Sequence, residues 1–180
     1  MTTQELELLK YPIGKFNCPE KITENDIQDW VLVLEQFPNR LETLVEHLNE
    51  EQLNTPYRPK GWTIRQVVHH ISDSHHNSYT RFKWAITENN PLIKAYNEQS
   101  WANQHDYNQP LVNSLLHLKG VHYKLVHFVR GLSTKDLERT FIHPYGNETV
   151  SLKENLGIYA WHSNHHYAHI ENLVNRMGWK

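Results

Sequence analysis

The chain has 180 residues, with 18 Lys+Arg against 20 Asp+Glu and a formal net charge of −2, which leaves no basic footprint for nucleic acid. Its single cysteine, Cys18, rules out an intrachain disulfide framework and argues against a cysteine-based zinc site. No run approaches the ~18 apolar residues of a membrane span and the opening MTTQELELLKYPIGKF has no apolar signal core, so the expectation is a cytoplasmic protein folding as one domain over residues 1–180.

An irregular start containing Pro12, Gly14 and Pro19 leads to Thr23, which can cap a first long helix. Ile27, Trp30, Leu34, Phe37, Leu41, Leu44 and Leu48 follow its 3.6-residue period, and Pro38 inside the pattern should kink it. TPYRPKGW, residues 55–62, reads as a loop. Thr63 then caps a second helix reaching about Glu88, with Ile64, Val67, Ile71, Phe82 and Ala85 near one face. Residues 89–110 form a long polar connection. Leu111 to Arg130 gives a third helix, with Val112, Leu115, His122, Leu125 and Val129 on its stripe and Gly131 beyond its end. Phe141/His143 and Thr149/Ser151 flank the turn-like PYGN, which predicts a small hairpin. Ser151 and Glu154 form an S-x-x-E capping box for a last helix that runs to about Met177 and stops at Gly178. The fold class expected is all-α: an antiparallel four-helix bundle with a long crossover and a hairpin before the last helix.

Fourteen histidines are the unusual feature of this composition. Four of them stand in WHSNHHYAHI, residues 161–170, where two pairs compete at helical i, i+4 spacing: His162/His166 and His165/His169. On a wheel with Tyr159 at zero, the apolar residues Leu152, Leu156, Ile170, Leu173 and Met177 lie within about 60°. His162 and His166 fall at about 300 and 340°, beside that stripe, while His165 and His169 fall at about 240 and 280°, on the flank. The inward pair has the spacing that helical zinc sites use.

A third ligand must come from a facing helix. In VVHHISDSHHNSY, residues 67–79, His70 lies at about 300° from Val67 and faces the core edge. His69 and His76, at about 200 and 180°, look outward. Ser74 and Ser78 put small polar groups on a face that should be apolar, which suggests a polar cavity near His70. His70, His162 and His166 would form a tripod that leaves coordination positions open, the catalytic arrangement. The competing reading is a set of buried histidines that only hydrogen-bond. A di-iron site is disfavoured because no Glu stands three residues before a histidine, and H-E-x-x-H is absent.

YPIGKF (residues 11–16), TPYRPKGWTIRQVVHHISDSHHNSYTRFK (55–83), HP (143–144) and WHSNHHYAHI together resemble the DinB-like superfamily, and within it the YfiT-type group of metal-dependent hydrolases and bacillithiol transferases. The likeness extends over nearly the full length. It implies a four-helix bundle, commonly a homodimer, holding one divalent metal per subunit, zinc first and nickel second, through His70, His162 and His166. Members of the group often carry a further histidine where this chain has Asn164, so Asn164 is not an indispensable ligand.

An open divalent metal supports either hydrolysis, by activating water, or S-transfer, by presenting a low-molecular-weight thiol such as bacillithiol to an electrophile. A non-catalytic metal-binding module is the third alternative. No carboxylate accompanies the ligands in the sequence pattern as an obvious base, and Asp73 is read as solvated or hydrogen-bonded behind a ligand. Arg58, Arg65 and Arg81 are candidates for recognising acidic groups of a small-molecule substrate. Trp62, Trp84, Trp101 and Trp161 are candidate pocket walls, and His143 could overhang the site as an acid/base group.

Overall fold

A computed structural model describes residues 2–179. Its elements in chain order are α1 (Thr3–Lys10), α2 (Glu24–Val45), α3 (Glu50–Leu53), α4 (Ile64–Thr87), α5 (Glu98–Trp101), a 3-10 turn (His105–Asn108), α6 (Leu111–Arg130), α7 (Thr134–Leu137), strands β1 (Thr140–His143) and β2 (Glu148–Ser151), and α8 (Leu152–Met177). The four long helices are those expected, and the caps explain where they start. Thr23, Thr63 and Ser151 each accept a hydrogen bond from the third residue of α2, α4 and α8, whose side chain answers back to the cap amide. Gly178 closes α8 in the left-handed conformation at φ 67°.

Two local expectations change. The N-terminus is not wholly irregular, because Thr2 and Glu5 form a capping box for α1. The first long helix ends at Val45 rather than continuing to Leu48, although Leu48 remains buried in the same core. Pro38 sits inside α2, which runs through it uninterrupted.

α2 packs on α6 and α8, and α4 also packs on α6 and α8, so α2 and α4 face one another across the bundle diagonal. One core cluster joins the C-terminal halves of α2 and α8 to the N-terminal halves of α4 and α6. The second joins the opposite halves. It follows that α2/α6 and α4/α8 are antiparallel neighbours, whereas α4 and α6 are parallel. The 88–110 connection is therefore the long crossover that a parallel pair requires. The hairpin pairs Thr140 with Ser151 and His143 with Glu148, and Leu92 of the crossover bridges to Ile142 at its edge. Between the two apolar clusters lies a layer of histidines from α4, α6 and α8, with the Phe37 ring against both His75 and His122.

Candidate metal centre

α4 and α8 bring His70, His162 and His166 together, each offering one ring nitrogen, with all three atoms within 4.8 Å of one another. His70 Nε2 and His162 Nε2 are 3.3 Å apart, close to the ~3.4 Å edge of a tetrahedron with metal–nitrogen bonds of about 2.0–2.1 Å. The α8 spacing sets the His162 and His166 rings one turn apart, edge to face at 77° with centroids at 4.4 Å.

The orientation of the two α8 rings is fixed from behind by further histidines. The Leu34 carbonyl can only accept, so His122, whose Nδ1 lies 2.5 Å away, carries its proton on Nδ1. His122 Nε2 then accepts from His75 Nδ1–H at 2.8 Å, and His75 Nε2 accepts from His162 Nδ1–H at 3.1 Å. His162 is left with an unprotonated Nε2 facing His70. A second chain does the same for His166. Lys10 carbonyl accepts from His169 Nε2–H at 2.9 Å, so His169 Nδ1 accepts from His166 Nδ1–H at 3.3 Å and His166 Nε2 keeps its lone pair. His70 differs, since its Nδ1 is buried without a partner among the described residues.

All three rings are neutral at ordinary pH, as a cation ligand must be. Burial, helped by His165, holds His70 down to about 3. Burial first, then neighbouring imidazoles, holds His162 and His166 well below the usual histidine range. Neutral nitrogen donors, convergent lone pairs and the spacing of the rings fit a divalent ion of the zinc type.

The wheel misplaced three histidines. His165 and His169, read as flank residues, are 7% and 3% exposed, and with His166 they form a second close group. The N-terminal segment covers them: Tyr11 approaches the His165 ring, and Lys10 carbonyl takes His169, whose other face stacks on Tyr57 at 4.0 Å. His69, read as outward, is buried because the crossover folds over it: its Nε2–H donates to the Gln109 carbonyl at 3.2 Å, so its Nδ1 accepts from Ser114 Oγ of α6 at 2.7 Å. His76 is exposed, as expected. The relay residue His75 carried no assignment in the sequence. Its only signal there is a position beside the stripe, opposite His122 on the stripe of the third helix.

A cavity of about 740 Å³ opens over the cluster, lined among others by Trp62, His70, Ser74, Arg81, His143, Glu148, Tyr159, Trp161, His162 and His166. Ser74 bears out the polar cavity, and Ser78 accepts from buried Asn155. The hairpin carries His143 and its cross-strand neighbour Glu148 to the rim. Burial and the Arg81 charge lower the basicity of His143, while a backbone hydrogen bond at Tyr145, then Glu148 and Glu98, oppose the shift. Glu98 and Glu148 are carboxylates that the sequence pattern did not single out, because both lie outside the long helices.

Other candidates are occupied elsewhere. Arg65 is ion-paired with Glu50 and donates to Gln109 carbonyl. Asp73 accepts from the Tyr107 hydroxyl at 2.6 Å, away from the cavity wall. Arg58 borders a smaller cavity of about 400 Å³ beside His165 and His169. Trp62 tilts over His70 with centroids at 4.6 Å and Trp161 stacks on His165 at 4.5 Å. Trp84 packs into the core, and Trp101 is 41% exposed. Asn164 accepts from Arg40.

The family model described as DinB superfamily matches residues 33–170. A relative from Oceanobacillus iheyensis, named a "putative metal-dependent hydrolase", is 48% identical over 170 residues, covering 94% of this chain and 98% of its own. A relative of the same name from Bacillus cereus is 48% identical over 171 residues, covering 95% and 98%. YfiT from Bacillus subtilis, described as a probable metal-dependent hydrolase with an unusual four-helix bundle topology, superposes with a TM-score of 0.94 at 43% identity, over 96% of this chain and 99% of its own.

Proposed function

The chain belongs to the DinB superfamily, and on that premise we propose that it is a metal-dependent hydrolase whose divalent ion is held by His70, His162 and His166. The observation that carries this reading is the pair of histidine chains ending on Leu34 and Lys10 carbonyls. Both leave an Nε2 lone pair on α8, on the two residues that stand in the cluster with His70. A hydrogen-bonded core without a ligand would not need two buried tautomers fixed in the same sense. The names of its relatives support the same reaction class.

Zinc is the ion we assign, with nickel as the alternative, because three neutral imidazoles suit both. When bound there, such an ion lowers the pKa of water towards ~7 and polarises a carbonyl oxygen. The protein's own residues then position and exchange protons. His143, on the hairpin rim with its basicity lowered by burial and Arg81, accepts the proton that the attacking water gives up. Glu148 beside it stabilises the resulting imidazolium, which returns the proton to the leaving group. Trp62 and Trp161 line the cavity over the cluster. Exposed Val112, Leu116 and Tyr123 along α6 support the homodimer expected of the chain.

The test is metal content followed by turnover. Protein purified without a histidine tag should carry about one divalent ion per chain by elemental analysis. Loaded protein should hydrolyse members of an ester and amide panel, and His143→Ala should lower kcat by ~10²-fold or more. Conjugation of a low-molecular-weight thiol to an electrophile without any hydrolysis would move the reaction to S-transfer. No stoichiometric metal, or unchanged metal in His162→Ala, would overturn the centre itself.

A further inference from the structure

Arg81 projects from α4 and is 9% exposed, yet no carboxylate oxygen lies within 4.0 Å of it among the described residues. Its Nη1 donates to the Tyr159 hydroxyl at 3.3 Å, and its Nε–H is buried without an acceptor. A guanidinium cannot shed its proton to escape such a site, as a buried lysine can. Buried arginines are ordinarily paired, because an isolated charge out of water is costly. The cation here borders the same cavity as the three histidines, and its charge is felt at both His143 and His162.

We propose that Arg81 is an anion anchor, taking the carboxylate of a small acidic substrate whose reacting bond lies over the His70, His162 and His166 cluster. The proposal rests on the hydrolase reading for the second half of that statement and on Arg81 alone for the first. The fork of a guanidinium matches the two oxygens of a carboxylate, and a bidentate pair fixes direction as well as position. At the anchor a carboxylate is favoured over a phosphate dianion, since Glu98 and Glu148 line the same space and repel two charges gathered on one group. Tyr159, held between Ser74 and Arg81, keeps the guanidinium turned toward the cavity side of α8. Bound there, a carboxylate would neutralise Arg81 and leave the rest of a small molecule within the roughly 740 Å³ available.

The experiment titrates the metal-loaded full chain with succinate, and separately with inorganic phosphate, at constant ionic strength. The signal is the emission of Trp62 and Trp161, which line the cavity. Saturable succinate binding is expected, weakened about tenfold or more in Arg81→Met, with metal content per chain unchanged. Arg81→Lys, which keeps the charge and loses the fork, should also bind succinate more weakly than wild type, and it decides the matter if Arg81→Met fails to fold. Equal succinate affinity in wild type and variants, or no succinate binding by wild type, would overturn the anchor while leaving the metal centre standing. Phosphate binding tighter than succinate and equally dependent on Arg81 would overturn the carboxylate assignment. Loss of metal from wild type with Arg81-dependent succinate binding intact would instead sink the hydrolase reading and spare the anchor.

Discussion

The Leu34 carbonyl accepts from His122 Nδ1 at 2.5 Å, and it is free to do so because Pro38, four residues on, has no N–H to fill the helical position. A proline that sequence reasoning treats as a flaw in α2 thus exposes the acceptor on which a three-histidine chain to His162 is founded. His122→Gln and His75→Phe each interrupt that chain, and His169→Phe interrupts the one behind His166. Metal dissociation constants from chelator competition should rise about 10- to 100-fold in each variant. Near-wild-type affinity in all three would show that the outer histidines merely fill space.

Metal removal should register in stability as well as in turnover. A ligand that binds only the folded state stabilises it in proportion to its occupancy, by about 2.7 kcal/mol at a free concentration 100 times the dissociation constant. Zinc added to metal-stripped protein should raise the urea midpoint accordingly, and His162→Ala should lose most of that increment. His47→Ala, an exposed histidine beyond the end of α2, is the control that should keep it.

Much of this site was legible before any coordinates. The i, i+4 spacing in α8 and the apolar stripe of α4 suffice to bring His70, His162 and His166 to one face of the bundle interior, because the side of a helix on which a residue stands depends only on that helix. The wheel failed at His69, His165 and His169, whose burial is decided by segments with no periodicity. The crossover folds Tyr107 and Gln109 over His69, and α1 with Tyr11 covers α8. Glu98 and Glu148 escaped notice for the same reason, since a short helix and a four-residue strand carry no pattern that points them at a cavity. Nor could one helix alone announce the His75–His122 contact, which needs the parallel placement of α4 beside α6.

Gly157, buried inside α8, is a position where the helix comes too close to its neighbour for any side chain. A Cβ there would stand 2.8 Å from Trp30 Cη2 and 3.0 Å from Phe16 Cζ. Alanine would gain up to about 1 kcal/mol in helix propensity. Overpacking against the Trp30 ring costs ~1–3 kcal/mol, so the net change in Gly157→Ala should be destabilising by up to about 2 kcal/mol. Chemical denaturation measures it directly, and a variant more stable than wild type would mean that Trp30 can swing aside.

His122 makes the fold itself sensitive to mild acid. Burial pulls its pKa from 6.5 to about 4, against a smaller opposing contribution from the Leu34 hydrogen bond. Its ring meets the His75 imidazole, the Phe37 ring and that carbonyl, and Glu35, which borders a cavity with His122, is ion-paired with Arg130. The unfolded chain therefore takes up the proton first as pH falls. Stability contributed by the neutral ring is complete above about 6.5 and is lost progressively down to about 4. At pH 5 the loss from this one group is roughly 2 kcal/mol. Metal-stripped wild type should accordingly lose more unfolding free energy between pH 7 and pH 5 than His122→Gln does, by about that amount. Equal acid sensitivity in the two proteins would mean that the ring is solvated or already charged in the native state.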